Sequence, residues 1–496
     1  RLSQSKAIQV SGTNLIIPDF YNVSTRTGNL LGSEATSEYR KVGVYGDFTL
    51  GFNDYLFLTG SARNDWSSAL EKDNRSYFYP SAGISFIPTT AFEGMKGTLR
   101  YLKAGFSASR TGNDPGPYAT RSTFFAPTGT SGLFPFGSTP GLTLSGREVA
   151  PGLKPEFTTS LEASIEFAFF SGDRLRGSVT AYKSNSTDQL VPIEISLASG
   201  ASSLYTNIGE IENRGLEVDL NGGIIRTEDF SWDLGINYST NDSEVLSLLE
   251  GVNELEIGGP YANNSGYGAV VVAQVGQPYP LLKATDYLRD AQGRVIVGED
   301  GDPIANPNLT AQGKTTPDYI VGMNTRFSYK NFSLYAVADY RTGHVFYNNI
   351  VDALEFTGLT AHSVTSGRQP FVYPNSVYDD GSGNYVANTN RLTTGGGNQF
   401  WDAYNEVKAN YVTDATVLKL REVSLGYSFD QGLIDNLGFE DLKLNVYGRN
   451  LFMWRPSSNV YSDPEFNYST GNATGFGTQS QTPPTRQYGI SLTAKF

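Results

Sequence analysis

The segment QYGISLTAKF, residues 487–496, alternates strictly between two kinds of side chain. Its larger and more apolar residues are Tyr488, Ile490, Leu492, Ala494 and Phe496. The residues between them are small or polar. Successive side chains of a β-strand point to opposite faces, so this period of two predicts a strand with one apolar face and one polar face.

The same alternation recurs along most of the chain, in about thirteen segments. They lie near residues 41–52, 54–64, 77–87, 97–109, 156–170, 173–184, 212–225, 230–242, 316–329, 331–344, 416–429, 441–450 and 485–496. Most are longer than the usual strand of about 5–6 residues. Spans of roughly 10–13 residues match the length that a tilted strand needs to cross a lipid bilayer.

The connections between these segments alternate between short and long. Short joints with turn-forming residues are Phe52-Asn53-Asp54, Ser171-Gly172-Asp173 and Lys330-Asn331. Long polar connections lie near 110–155, 185–211, 243–315, 345–415 and 451–484. Short periplasmic turns and long outer loops are typical of outer-membrane barrels. With that parity, the final strand runs inward and ends at the periplasmic rim.

These patterns predict an all-β fold, an antiparallel transmembrane β-barrel. A soluble β-sandwich or β-solenoid is the alternative, since its strands also alternate. Sandwich strands are usually shorter, however, and are not joined by tight turns in alternation with loops of tens of residues. One strand changes phase at Arg421-Glu422, which predicts a β-bulge or the point where the strand leaves the membrane.

Composition narrows the function. The formal net charge of −13 argues against a nucleic-acid partner, whose binding surface should be basic. The chain has no Cys and only two His, His344 and His362, so we expect no disulfide, no metal site, no cofactor and no catalytic triad. No apolar stretch approaches the roughly 18 residues of a membrane helix. Because no catalytic arrangement is visible, an enzyme is not expected.

The polar faces of the predicted strands are rich in ionisable residues. They include Glu162, Glu166, Arg174, Arg176, Glu217, Asp219, Asp233, Asp339, Arg341, Lys419, Arg421, Lys443, Arg449 and Lys495. Charges of both signs on a barrel wall predict a wet interior or a polar plug, with mutual ion pairing as their simplest role. Thirteen strands exceed the eight whose side chains can fill a barrel, and bacterial barrels normally have an even number. At least one strand is therefore expected to be missing upstream, so that the sequence is a piece of a larger barrel.

Several long sequence segments resemble segments that occur in the same order in SusC-like (SusC/RagA-type) TonB-dependent outer-membrane transporters. They are RNDWSSALEKDNRSYFYPSAGISF (63–86), PGLKPEFTTSLEASIEF (151–167), YTNIGEIENRGLEVDL (205–220), VTDATVLKLREVSLGYSF (412–429), NVYGRNLFMWRPSSNVYSDPEFN (445–467) and TPPTRQYGISLTAKF (482–496). The resemblance implies a 22-stranded barrel with an N-terminal plug in the Gram-negative outer membrane. Residues 1–496 would be the C-terminal part of that single barrel, with the plug, the TonB box and nine strands upstream.

The resemblance also implies a function and partners. The protein would actively import nutrient oligomers, either oligosaccharides or peptides, with energy supplied through TonB. A SusD-like lipoprotein would cap its outer face, and the barrel would contact outer-membrane lipids. Tyr488 and Phe496 resemble the C-terminal signal by which the barrel-assembly machinery recognises its clients. A passive porin and a structural surface barrel remain alternatives, and an extracellular enzyme is the least favoured.

Substrate contacts are expected in the outer loops. The aromatic residues of the segment 345–415 are the candidates: Tyr378, Tyr385, Phe400, Trp401 and Tyr404. Alternatively, they anchor the loop to a lipoprotein or to each other. Trp66, Trp232 and Trp454 are expected at strand ends or in aromatic girdles. Two acidic stretches, GEDGDP (298–303) and DDGSGN (379–384), faintly suggest calcium loops, but lack the distal Glu of an EF-hand and fit turn chemistry better.

Overall fold

A computed structural model describes residues 1–12, 14, 16–17, 19–28, 30–125, 139, 141–261, 268–393, 395–434, 438–467, 469, 471–478 and 482–496. The first twelve strands are β1 (Leu2–Ser11), β2 (Leu31–Phe52), β3 (Leu56–Ser67), β4 (Ser76–Phe86), β5 (Leu99–Asn113), β6 (Phe124–Phe125), β7 (Thr143–Leu144), β8 (Arg147–Val149), β9 (Glu156–Phe169), β10 (Leu175–Glu194), β11 (Ser203–Arg226) and β12 (Phe230–Ser247). The remaining strands are β13 (Glu254–Tyr261), β14 (Ala269–Gln274), β15 (Leu281–Tyr287), β16 (Val295–Ile296), β17 (Ala305–Lys314), β18 (Tyr319–Tyr329), β19 (Phe332–Thr342), β20 (Val345–Asn348), β21 (Ser376–Asp379), β22 (Tyr385–Ala387), β23 (Val412–Asp414), β24 (Val417–Ser428), β25 (Asp441–Trp454), β26 (Phe476–Gly477) and β27 (Gln487–Lys495).

Helices are few and short. The α-helices are α1 (Pro88–Ala91), α2 (Asn349–Phe356), α3 (Asn398–Glu406) and α4 (Gln431–Ile434). The 3-10 helices are Val23–Thr25, Glu93–Met95, Leu197–Ser199, His362–Val364 and Lys408–Tyr411. Within the described part of the chain, no helix combines the length and the apolar character that crossing a membrane would require.

One large antiparallel sheet, here called the wall, dominates the fold. Its order is β1-β2-β3-β4-β5-β9-β10-β11-β12-β18-β19-β24-β25-β27, so each strand is hydrogen-bonded to the next wall strand along the chain. The short strand β8 joins this sheet by pairing in parallel with β11. Four of the six connections at one end of the wall, the turn end, are tight, and five of the seven at the other end, the loop end, are long. This is the up-and-down order that a membrane barrel requires.

The joint between β2 and β3 shows how the sequence makes a tight connection. Asn53 and Asp54 both have positive φ, at 48° and 58°. A type I′ turn requires positive φ at both central residues, and its twist matches that of the flanking antiparallel strands. Asn and Asp tolerate this backbone region better than most residues do. The pairing of Phe52 with Leu56 therefore continues directly into the wall.

All thirteen predicted strands are present, and the wall contains one strand that was not predicted. β1 pairs with the first ten residues of β2, from Leu2 opposite Arg40 to Ser11 opposite Leu31. Its sequence, LSQSKAIQVS, is polar on both faces near its centre, so it shows no clear alternation. The strand next to β2, predicted to be missing upstream, is instead supplied by residues 2–11 of this chain. Fourteen wall strands are therefore present where thirteen were predicted.

The predicted loop 185–211 is wrong for most of its length. The β10–β11 hairpin continues to the pair Glu194–Ser203, leaving a short connection. The hairpin extends because Ile193, Ile208 and Ile211 pack with Val245 in one buried apolar cluster. Burial of these apolar side chains therefore stabilises a strand pairing where the sequence predicted a loop.

The other long connections contain secondary structure of their own. Strands β13, β14, β15 and β17 form a four-stranded sheet within 243–315, and β16, β21 and β22 form a three-stranded sheet. β20, β23 and β26 form another, which links 345–415 to 451–484. Parts of the predicted loops lie outside the described residues, namely 126–138, 140, 262–267, 394, 468, 470 and 479–481.

The predicted phase change in the strand near residue 421 is confirmed as a β-bulge. β24 shifts register between Leu420 and Glu422 against both of its neighbours, β19 and β25. Arg421 is the extra residue. A bulge redirects a side chain while the rest of the strand stays paired.

The apolar residues of the wall lie on its surface. Ile490 is 73% exposed, and Val42, Leu50 and Ile165 are also exposed. Buried apolar side chains concentrate instead among the loop segments. The main cluster there comprises Ala269, Val271, Leu282, Ala284, Tyr347, Tyr411 and Phe476. A wall with an exposed apolar face and a separate loop core is the arrangement expected when lipid covers that face.

Candidate functional site

Ion pairs join neighbouring strands on the polar face of the wall. Lys103 lies 2.8 Å from Glu166 across β5 and β9. Arg449 lies 2.8 Å from Glu422 across β25 and β24. The prediction that ionisable residues share this face and pair with each other is confirmed for these strands.

A denser network joins the loop end of the wall to the connection 455–486. Lys419 of β24 lies 2.5 Å from Asp463 and also pairs with Glu465. The Lys419 side chain is only 8% exposed. Because both carboxylates belong to the connection, these pairs hold it against the polar face of the wall.

The bulged residue Arg421 completes this network. Its Nη1 donates to Glu465 Oε2 at 2.7 Å, and its Nη2 donates to Asp339 Oδ2 at 2.8 Å. Arg341 Nη2 lies 3.0 Å from Glu465 Oε1. The planar guanidinium suits two carboxylates at once, and the bulge places it between them. Asp463 and Glu465 belong to the DPE segment of the sequence. That segment alone does not show that these carboxylates pair with β24.

The environment of Glu465 strongly favours its ionised form. Burial alone would raise the pKa of this carboxyl. Hydrogen bonds from Arg421 and Lys419 outweigh that effect and lower the pKa to about 2. Glu465 therefore keeps its charge, and with it the network, at pH values where an ordinary Glu is protonated.

This pKa shift predicts how acid affects the connection 455–486. A Glu in an unfolded chain titrates near pH 4.3, roughly. The stabilisation from Glu465 is thus fully present above that pH and is lost as the pH falls toward 2. We expect amide hydrogen exchange within 455–467 to be faster in Glu465→Gln than in the natural protein at pH 7. That difference should shrink steadily below about pH 4.3; a difference that is constant with pH would contradict the assignment.

A cavity of about 450 Å³ lies beside this network. Its lining includes Asn450, Arg486 and Phe466 in addition to Lys419 and Arg421. The lining offers both hydrogen-bond donors and an aromatic surface. It is part of the polar interior at the loop end.

The five predicted substrate-contact residues fall into three places. Phe400, Trp401 and Tyr404 lie together on α3; the first two are buried and Tyr404 is half-buried. Tyr378 is half-buried on β21, and Tyr385 is exposed on β22. Tyr385, at 43% exposed, is thus the most exposed of the five residues.

The α3 residues pack mainly on one another. The ring centroids of Trp401 lie 5.1 Å from those of both Phe400 and Tyr404. Phe371 adds a further edge contact to Phe400, at 5.1 Å. Phe400, Trp401 and Tyr404 thus anchor the loop to itself, which is one of the two alternatives predicted for these aromatic residues. Substrate contact by any of the five residues stays a prediction.

A buried polar network supports this aromatic group from α2. Lys408 Nζ lies 3.2 Å from Asp352 Oδ2, and both side chains are buried. Tyr347 also donates to Asp352, and Lys408 donates to Asn405 Oδ1 at 2.7 Å. Burial raises the pKa of the neighbouring Tyr411, so its hydroxyl stays protonated. The network fixes α2 and α3 relative to each other.

The two histidines lie in different surroundings. His362 Nδ1 lies 2.8 Å from Glu355 Oε1, and its ring meets the edge of Trp401. The hydrogen bond with Glu355 raises the pKa of His362, against the effect of partial burial. Burial lowers the pKa of His344 to about 4. In the described ranges, no group of three or more His, Cys, Asp or Glu residues could hold a metal ion.

The acidic stretches 298–303 and 379–384 form turns, as predicted. Asp300 Oδ1 accepts a hydrogen bond from the backbone of Asp302 at 3.0 Å. Asp379 Oδ1 accepts hydrogen bonds from Gly381 and Gly383, at 2.8 Å and 3.1 Å. These carboxylates satisfy backbone N–H groups within their own turns.

The remaining predicted residues lie where their strands place them. Trp66 and Trp454 lie near the loop ends of β3 and β25, and Trp232 stacks on Phe327 near the turn end. The large side chains of Tyr488 and Phe496 are both strongly exposed. Their role as an assembly signal stays a prediction.

Comparison with known proteins assigns this fold. A family model described as "TonB dependent receptor-like, beta-barrel" matches residues 9–340. The TonB-dependent receptor P26 of Formosa agariphila is 27% identical over 463 residues, covering 88% of this chain and 44% of the relative. The TonB-dependent receptor SusC of Bacteroides thetaiotaomicron is 26% identical over 399 residues, covering 76% of this chain and 36% of the relative. The chain thus spans less than half the length of these curated relatives.

A solved structure shares the whole fold. The RagAB peptide transporter structure aligns with 99% of this chain and 52% of its own, at a TM-score of 0.73 and 20% identity. This likeness supports the wall and loop architecture. The family match over more than half of the chain places these residues in an outer-membrane β-barrel. The chain belongs to the family of TonB-dependent receptor-like β-barrels, as a SusC-like member.

Proposed function

We propose that the full-length protein actively imports nutrient oligomers, oligosaccharides or peptides, across the outer membrane with energy supplied through TonB. The observation that carries this proposal is the family match across the wall strands from residue 9 to residue 340. The polar, ion-paired face of the wall suits a water-containing interior. Residues 1–496 would form the C-terminal part of one barrel, with the plug and N-terminal strands elsewhere in the full-length protein.

A SusD-like surface lipoprotein is the proposed partner at the loop end. Support comes from the extent of the folded loops there, which include α2, α3 and three small sheets. The likeness to SusC and to the RagAB structure supports the same partner class. TonB would act through the plug, and the barrel-assembly machinery would insert the wall into the lipid.

Uptake by intact cells tests the function. We expect deletion of the gene to abolish uptake of one class of oligosaccharide or peptide, and complementation to restore it. A protonophore that collapses the proton-motive force should abolish the same uptake, because TonB draws on that force. The control is uptake of a small solute that general porins admit, which should be unaffected by the deletion.

The alternatives predict different results in the same cells. A passive porin would give uptake that is lost on deletion but persists with the protonophore. A structural surface barrel would leave uptake of every tested nutrient unchanged on deletion. Either result would overturn the importer proposal.

A further inference from the structure

A cavity of about 590 Å³ lies on the polar face of the wall, near the turn end of strands β10, β11, β12 and β18. Its lining contains four arginines and two aspartates, namely Arg174, Arg176, Arg226, Arg326, Asp173 and Asp233. The whole chain has the opposite balance, with a formal net charge of −13. We call the four arginines and the cavity that they line the arginine site. It shares no lining residue with the cavity beside Lys419 and Glu465.

The arginine site is open because a glycine lies in the middle of its floor. Arg176 on β10 is paired with Asn221 on β11, and Asn221 is paired in turn with Gly235 on β12. Gly235 is paired with Asn324 on β18. Directly opposed residues share a face of the sheet, so these four residues form one row on the polar face. Gly235 has no side chain, which leaves room above the middle of that row.

Two of the four arginines already have partners within the wall. Arg226 Nη2 lies 3.1 Å from Asp233 Oδ1 in an ion pair. Arg174 Nη2 donates to the backbone oxygen of Ile224 at 2.9 Å. These two guanidinium groups therefore hold the turn end of the wall together, and they frame the cavity rather than offer all of their donors to a ligand.

The other two arginines are exposed and have no such partner. Arg176 and Arg326 make no ion pair with any carboxylate that the structure describes. The Arg326 guanidinium lies 5.2 Å from the centre of the Tyr335 ring instead. Other cations of the polar face pair with carboxylates, as Lys103 does with Glu166. The donors of Arg176 and Arg326 are thus open to a ligand from outside this chain segment.

The chemistry and the spacing of these two arginines define that ligand. Guanidinium groups bind carboxylates and phosphates through paired donors, so the site selects negative charge. Arg176 and Arg326 stand on strands that are three positions apart in the wall, which separates their backbones by roughly 14 Å. A ligand that uses both must span several strands. This favours a folded segment with more than one carboxylate over a single small anion.

The full-length protein has room for such a segment beside the polar face. The described wall already has fourteen strands, more than the roughly eight whose side chains can fill a barrel. This chain covers 44% of the receptor P26 and 36% of SusC, so more than half of each relative lies outside the matched part. Under the proposed function, part of the corresponding segment is a plug that lies inside the barrel.

We propose that the arginine site is a docking surface for an acidic patch of the N-terminal plug, and that Arg176 and Arg326 bind its carboxylates. This inference rests on the proposed import function. It adds which part of the wall meets the plug and which charge the plug presents there. Because both arginines are exposed, each ion pair contributes little by itself, so the contact can break and form again as substrate passes.

Carbodiimide cross-linking of the full-length protein in outer membranes tests this surface. The reagent joins a lysine amine to a carboxylate in contact with it as an amide, and takes up the water that the condensation releases. Arg176→Lys and Arg326→Lys each keep a cation at the site and supply that amine. We expect each variant to gain a cross-link, identified by mass spectrometry, to an Asp or Glu of the plug, outside residues 1–496. The natural protein should lack both products, because arginine is not coupled.

Two further products show that the reagent reaches the interior and reports true neighbours. Lys103 lies 2.8 Å from Glu166 and should be cross-linked to it in every sample. Arg449→Lys is the matched control, since this arginine of the polar face already lies 2.8 Å from Glu422. Its lysine should couple to Glu422 within the wall and not to the plug.

Three results would overturn the docking surface. The first is coupling of Arg176→Lys and Arg326→Lys only to wall carboxylates such as Asp173 and Asp233. The second is no product from either variant while Lys103 gives its own. The third is found with the double variant Arg176→Gln and Arg326→Gln. If it loses uptake of acidic but not of neutral oligomers, and the lysine variants give no plug product, the site belongs to the substrate.

These outcomes are separate from those that test import. Uptake that depends on the gene and on the proton-motive force would leave the import function standing even when the plug product is absent. Uptake that persists with the protonophore would refute the function itself, whatever the cross-links show.

Discussion

Replacing Ile165 with arginine is expected to destabilise the folded barrel by about 2–4 kcal/mol, the cost of placing a cation on a lipid-facing strand near the bilayer midplane. Ile165 lies within β9, and its side chain is exposed on the apolar face of the wall. The measurement is equilibrium unfolding of the full-length protein by urea in phospholipid vesicles.

The control for this variant is its direct neighbour. Ser164 lies on the opposite face and lines a cavity of about 200 Å³ at the polar side of the wall. Ser164→Arg should therefore cost far less than Ile165→Arg, because its guanidinium stays in water. Equal losses for both variants would contradict the assignment of the two faces.

Replacing Lys419 with methionine is expected to cost about 3 kcal/mol, because it leaves buried carboxylates without their cation. Asp463 is almost fully buried, and Lys419 lies 2.5 Å from it. Arg421 still binds Glu465 in the variant, which limits the loss. Faster hydrogen exchange in the segment 455–467 is the expected signature, since Lys419 holds that segment to the wall.

An exposed pair supplies the matched control for Lys419. Lys6 lies 2.8 Å from Glu34, and both side chains are 56% exposed. Such surface pairs contribute about 0–1 kcal/mol, so Lys6→Met should change little. If the two substitutions had the same effect on the segment 455–467, the buried network would not be what holds it.

The wall could be predicted from the sequence because its side chains obey a strictly local rule. A strand with one face in lipid and one in water must alternate, as Ile490 and Ser491 do. The bulge at Arg421 was visible for the same reason, as a break in that rule. The alternation does not predict β1, because Gln4, Ser5 and Lys6 place polar side chains on both faces of that strand.

The loop core could not be predicted, because its contacts join distant parts of the chain. Tyr347 packs on Tyr411 and lies in one cluster with Phe476. None of these residues follows a local period. The DPE segment resembles the corresponding segment of known transporters, yet the partners of Glu465 lie on β19 and β24, which are distant from it in the sequence.

The candidate site was only partly visible in the sequence for a related reason. Aromatic residues in a polar loop predict substrate contacts, but composition does not separate an exposed ring from a buried one. Tyr385 is exposed, whereas Phe400 is buried. Glu355 and Arg368, which line a loop cavity of about 140 Å³ together with Trp401, carry no sequence signal that distinguishes them from other loop charges.

Single-cysteine labelling of β27 tests the central claim most directly, namely that this wall separates lipid from a polar interior. The 496 residues contain no Cys, so each introduced thiol reports without background from this part of the protein. Full-length variants Ile490→Cys, Ser491→Cys, Leu492→Cys and Thr493→Cys would be labelled in outer membranes. We predict that a lipid-soluble maleimide reacts with the cysteines at positions 490 and 492. A charged, membrane-impermeant maleimide should react with those at positions 491 and 493 when it has access to both sides of the membrane. Equal labelling of all four positions by the charged reagent would contradict the account.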